Sequence, residues 1–126
     1  MEPRQVLIVD DEDAIREVAA LSLQAVGGYD VLTAESGSAC VRQALEHQPD
    51  AILLDVMMPE MDGPATFATL QSHAATRDIP VILLTAKVQA ADHRLFAELG
   101  VAAVLPKPFD PMALSEQVAG ALGWQS

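Results

Sequence analysis

Four places in the sequence carry residues suited to chemistry on a charged group: Asp10-Asp11-Glu12-Asp13, Asp55, Thr85 and Lys107. Carboxylates crowded into one crevice repel one another and do not all stay ionised without cost. A divalent cation relieves that repulsion, and an all-oxygen donor set suits Mg²⁺ or Mn²⁺, with Mg²⁺ keeping several of its waters. A lysine and a hydroxyl are surplus to a simple cation site. Beside a cation, they are what a transferring phosphoryl group requires: charge neutralisation on its oxygens and a hydrogen bond. Asp55 is then the natural nucleophile, because carboxylates form aspartyl-phosphates. Either a substrate carries the phosphate or the protein does, and the residue types alone leave both open.

For these residues to meet, the elements between them must return the chain repeatedly to one rim. Short apolar runs do this: Val6-Leu7-Ile8-Val9, Ala51-Ile52-Leu53-Leu54, Val81-Ile82-Leu83-Leu84 and the weaker Ala102-Ala103-Val104-Leu105. Runs this short, without polar alternation, suit strands buried on both faces of a parallel sheet. The more mixed Asp30-Val31-Leu32-Thr33-Ala34 reads as an edge strand. Helix-length stretches lie between and after them: Asp13 to Val26, Ser36 to Glu46, Pro64 to about Ser72, Val88 to Leu99, and one opened by Asp110-Pro111. In the first, Ala14, Val18, Leu21 and Ala25 fall on one helical face and are expected to point inward. Gly27-Gly28 ends it. In the last, Asp110 is expected as the N-cap and Pro111 as the first helical residue, with Leu114, Val118 and Leu122 inward.

The pattern is a strand followed by a helix, repeated through the chain. Strands joined through helices are parallel with right-handed crossovers, and so few units favour an open sheet covered on both sides over a barrel. Ligands of such sheets bind beyond the carboxyl ends of the strands, and the acidic pair, Asp55, Thr85 and Lys107 all follow such ends. One domain spanning residues 1–126, with no linker and no effector domain, is expected.

Composition narrows the function. Hydrophobic residues make up 51% of the 126 residues, which excludes a disordered chain. The formal net charge of −11 disfavours nucleic acid and anionic membrane as partners and favours cations or a basic protein surface. One cysteine, Cys40, permits no intramolecular disulfide and fits a cytoplasmic location. No apolar run approaches the ~20 residues of a membrane helix. Cys40 and the scattered His47, His73 and His93 make no zinc set; Cys40 reads as a small buried hydrophobe and the histidines as surface residues.

Each chemical residue alone has an ordinary reading. Asp11 or Asp13 caps a helix, Asp62-Gly63 makes a turn, a threonine after a strand is structural, and a lone lysine is a solvated charge. Their joint placement at successive core-strand ends is what marks a site.

The sequence resembles the receiver (response regulator) domain family of two-component signalling, of the single-domain chemotaxis type. The resemblance rests on Val6-Leu7-Ile8-Val9-Asp10-Asp11-Glu12, on Leu54-Asp55-Val56-Met57-Met58-Pro59-Glu60-Met61-Asp62-Gly63, on Pro80-Val81-Ile82-Leu83-Leu84-Thr85-Ala86 and on Leu105-Pro106-Lys107-Pro108-Phe109, and covers nearly all of the chain. It implies a flavodoxin-like (βα)5 three-layer sandwich with strand order 2-1-3-4-5. It also implies that Asp55 is phosphorylated by a histidine kinase or histidine phosphotransfer protein in a Mg²⁺-dependent reaction (Mn²⁺ being the substitute), and that the resulting change alters binding of a downstream protein target. Asp11 and Asp55 would ligate the cation directly, Asp10 through water, and the Met57 carbonyl would complete the protein ligands. Thr85 and Lys107 would bind the phosphoryl group, and the Lys107-Pro108 bond would be cis. Such a protein would be a cytoplasmic signalling switch, a monomer or weak dimer, and not an enzyme, taking part only in its own phosphorylation and autodephosphorylation.

The sequence departs from that family at Val104, where an aromatic ring usually stands three positions before the lysine. The aromatic half of the usual switch is therefore absent. Gly27-Gly28 is one residue longer than is common, and Val88, Ala90, Ala91, Leu95 and Phe96 leave the fourth helix poor in charge, as a docking or dimer patch would. Met57 and Lys87, two residues beyond Asp55 and Thr85, are expected to slow attack by water and so autodephosphorylation. Competing readings are a Mg²⁺-dependent phosphatase forming an aspartyl-phosphate, a nucleotide or flavin binder, and a scaffold receiver that works without phosphorylation. The phosphatase usually carries an acid where Met57 stands, and the nucleotide binder needs a glycine-rich loop where Asp10-Asp11-Glu12-Asp13 stands.

Overall fold

The computed structural model describes residues 3–86 and 90–124. Five strands, β1 (Gln5–Val9), β2 (Asp30–Ala34), β3 (Ala51–Asp55), β4 (Val81–Thr85) and β5 (Ala103–Pro106), alternate with α1 (Asp13–Ala25), α2 (Gly37–His47), α3 (Gly63–Ser72), α4 (Ala90–Glu98) and α5 (Leu114–Leu122). The sheet is parallel throughout, in the order β2-β1-β3-β4-β5, so the mixed strand β2 does lie at an edge. This is the flavodoxin-like arrangement.

Strand alternation divides the core in two. Leu7, Val9, Ile52, Leu54, Val81 and Leu83 face one side, where they pack with Cys40 and Ala44 of α2, Phe67 and Leu70 of α3 and Phe96 of α4. Val6, Ile8, Leu53, Ile82 and Leu84 face the other, against Ala19 and Leu23 of α1 and Leu114 and Val118 of α5. With both faces covered, a strand has no use for polar alternation, which is why the runs in the sequence are continuously apolar.

Local chemistry sets the helix starts. The Ser36 hydroxyl accepts from the Ala39 N–H to open α2, and the Asp62 carboxylate accepts from the Ala65 N–H to open α3, with Pro64 in the first turn. Gly63 follows Asp62 because a Cβ there would stand 2.7 Å from the Asp55 carbonyl. Lack of a side chain lets the loop after β3 lie directly on the strand end.

Two expectations need correction. The inward face of α1 is formed by Ala19, Ser22 and Leu23, while Val18 is 43% and Leu21 66% exposed; Ala14 and Ala25 are exposed as well. Helix α1 is apolar on more than one stripe, so periodicity does not choose between them. The choice is made by packing, where Ser22 comes close enough to the turn before α5 for its hydroxyl to bond the Pro111 carbonyl. In the last helix, Asp110 caps a preceding turn rather than α5 itself. Its carboxylate accepts from the Met112 N–H and its carbonyl from the Ala113 and Leu114 N–H groups, and regular helix begins at Leu114. Leu114 and Val118 are buried as the pattern requires. The expected start of α4 at Val88 lies outside the described residues.

Candidate functional site

Register brings the chemistry to one rim. Val9 pairs with Leu54, Asp55 with Leu84, and Thr85 with Pro106, so Asp10, Asp55, Thr85 and Lys107 emerge at one level from neighbouring strands. Asp10 is fully buried, and each of its carboxylate oxygens is engaged. One accepts from the Glu12 N–H at 2.9 Å and the other from Lys107 Nζ at 2.9 Å. Lys107 also donates to Asp55 at 3.2 Å, bridging the two buried acids. Thr85 is buried beside them at the end of β4.

Asp10, Asp11 and Asp55 each offer a carboxylate oxygen, and these atoms lie within 4.8 Å of one another. Asp10 and Asp55 are buried and Asp11 is exposed, which leaves the cluster open on one side. Burial first, and the Asp10 charge second, push the Asp55 carboxyl above its ordinary range; Lys107 and the Met57 N–H pull it back only in part. Burial works against the Lys107 ammonium, but its bonds to Asp10 and Asp55 outweigh that and raise its pKa. One lysine therefore leaves the acids under-neutralised. A hard all-oxygen set with residual negative charge and an open side fits a small divalent cation.

The remaining expected residues fall around this notch. Met57 is 62% exposed on the loop after β3. Glu60 in the same loop takes a left-handed backbone, φ 67°, between Pro59 and Met61. The Lys107-Pro108 peptide bond is cis. Val104 is half-buried against the α2–α4 side of the core. Lys87 and the side chain of His93 lie outside the described residues. His47 and His73 are exposed, and Cys40 is buried in the core with its thiol pushed up to about 12.

Two features escaped the sequence reading. One is an open groove of about 380 Å³ beside the notch, walled by Ala14, Ile15, Val18, Ala86, Pro108 and Phe109 and almost wholly apolar. It exists because α1 turns Val18 outward, a stripe that periodicity alone does not separate from the core-facing one. The other is Arg16, which reaches the Asp10 carbonyl at 2.7 Å and pairs with Asp13. Its spacing three residues after Asp13 was the available signal.

The response regulator receiver domain profile matches residues 6–119. The alkaline phosphatase synthesis transcriptional regulatory protein PhoP of Bacillus subtilis is 35% identical over 119 residues, covering 94% of this chain and 48% of PhoP. The chain spans about half the length of the curated relatives it matches. Among solved structures, the chemotaxis protein CheY4 of Vibrio cholerae is 28% identical with a TM-score of 0.87, covering 94% of this chain and 98% of that one. The receiver domain of the sensor histidine kinase PA1611 from Pseudomonas aeruginosa, solved with a magnesium ion coordinated in its active-site cleft, is 28% identical with a TM-score of 0.84, over 96% of this chain and 98% of that one.

Proposed function

Because this chain belongs to the response regulator receiver domain family, we propose that Asp55 is the phosphoacceptor of a two-component phosphorelay and that the domain switches partner binding when it is phosphorylated. The observation that carries this reading is the buried Asp10–Lys107–Asp55 bridge beside the exposed carboxylate of Asp11. It fixes a reactive carboxylate against a cation of its own and next to a place for a second.

Asp10, Asp11 and Asp55 would hold Mg²⁺ or Mn²⁺, with the Met57 carbonyl as a further ligand. When bound, the ion supplies charge neutralisation on the phosphoryl oxygens. An Asp55 oxygen attacks the phosphorus, the bond to the donor imidazole nitrogen breaks, and that nitrogen keeps the electron pair. Lys107 offsets the charge gathering on the transferring group, and Thr85 donates its hydroxyl to the product. Motion of Thr85 then passes to β5 through the backbone. Val104 offers no ring to reorient, so the signal to a downstream protein travels by backbone shift. Met57 has no proton to give a leaving group, which argues against the phosphatase reading. A scaffold that never accepts phosphate would have no need of the complete set.

The donor is a histidine kinase or histidine phosphotransfer protein, and the apolar groove beside Lys107 gives it a surface to rest on. Some relatives are named as transcriptional regulators. For this segment, the net charge of −11 favours a protein target over nucleic acid. A phosphorelay role places the domain in the cytoplasm, and among the described residues no helix is long and apolar enough to cross a membrane.

The test is intact mass after incubation with Mg²⁺ and acetyl phosphate. One phosphoryl adduct is expected, absent in Asp55→Asn and without the cation. After donor removal it should persist for many minutes, and Met57→Asn should shorten that time by giving water a polar guide. An unmodified wild-type mass would overturn the reading.

A further inference from the structure

We propose that Arg16 is a positioning residue for the cation site, holding the β1–α1 turn in the shape that aims Asp11 at Asp55. The inference rests on the cation reading given above. Strand β1 ends at Val9, and the turn that follows must present two acids in different ways: Asp10 buried, Asp11 exposed. The Asp10 side chain is held by the Glu12 N–H and Lys107. Its backbone carbonyl is held by Arg16 Nη1 at 2.7 Å.

The other guanidinium nitrogen of Arg16 pairs with Asp13, the first residue of α1. One planar, rigid group therefore ties the strand end to the helix start, with Asp11 on the chain between them. The backbone adds a further tie, since the Arg16 N–H bonds the Glu12 carbonyl at 3.1 Å. The Arg16 side chain as a whole is only 16% exposed, so most of its length packs against the protein.

Charge and position make opposite predictions here. A guanidinium near a divalent cation repels it, so charge alone says that removing Arg16 tightens cation binding. Positioning says that removal weakens it, because Asp11 must be ordered at the moment of binding. Groups that orient metal ligands commonly contribute about tenfold or more to affinity.

The experiment is Mn²⁺ binding to the whole chain, read by electron paramagnetic resonance of the free ion well below the thermal midpoint, without any phosphodonor. Arg16→Ala is expected to weaken binding roughly tenfold. Arg16→Lys, which keeps the charge and one reach to the Asp10 carbonyl, should recover part of the loss. Asp13→Asn, which breaks only the helix-side half of the tie at a side chain 82% exposed, should weaken binding less than Arg16→Ala. Equal or tighter binding in Arg16→Ala overturns the proposal, as does a lower midpoint with unchanged affinity in all three variants. Failure of the wild type to bind Mn²⁺ would instead remove the cation reading itself.

Discussion

At the scale of single residues, Asp55 is held in a state it would not choose alone. Burial and the neighbouring Asp10 charge raise its pKa against the pull of Lys107. Folding therefore favours the protonated carboxyl, and this contribution to stability is present at low pH and lost as pH rises through the raised folded-state pKa. In metal-free protein, Asp55→Asn should consequently be more stable than wild type near neutrality. The gap should begin to close as pH falls past the raised folded-state pKa and be gone once pH reaches the ordinary carboxylate value. Chemical denaturation at a series of pH values checks this, and a gap that stays constant or reverses would contradict the electrostatic account. The same imbalance explains the reactivity proposed for Asp55, since a cation or a phosphoryl group held by Lys107 relieves it.

At the scale of elements, α1 does two jobs with two faces. Ala19 and Leu23 seal the core, while Val18 and its neighbours are left to wall the groove beside Lys107. A protein donor resting there loses apolar contact if Val18 turns polar, whereas acetyl phosphate makes no use of the groove. Val18→Gln should therefore slow transfer several-fold from a phosphorylated histidine phosphotransfer domain that serves the wild type. The acetyl phosphate reaction should be unchanged. Because Val18 is partly exposed, its effect on folding should stay near the ~0.5 kcal/mol typical of surface changes. Equal slowing with both donors would remove the groove from the docking role.

At the scale of the whole molecule, the sheet is the device that assembles the site. Residues 10, 55, 85 and 107 are distant along the chain and adjacent only because β1, β3, β4 and β5 are neighbours in the sheet. Any ligand that binds the assembled site, and not the unfolded chain, stabilises the fold by mass action, by about 2.7 kcal/mol at a hundredfold excess over its dissociation constant. Mg²⁺ should raise the thermal midpoint by several degrees at such concentrations, and Asp11→Asn should remove most of that rise. Asp11 is exposed, so the substitution should cost the metal-free fold little. A midpoint indifferent to Mg²⁺ would count against the cation site.

Architecture and chemical inventory are both legible in the amino-acid sequence. Four-residue apolar runs such as Val81-Ile82-Leu83-Leu84 signal strands covered on both faces, and the acids, threonine and lysine are legible because they follow such runs. Tertiary structure alone decided which stripe of α1 faces inward, that Asp110 caps a turn before α5, and that Arg16 reaches back to the Asp10 carbonyl. Those outcomes have one physical reason. Hydrophobic patterning reports only that a surface is apolar, whereas the direction it faces and the carbonyl a long side chain finds depend on close packing between elements far apart in the chain.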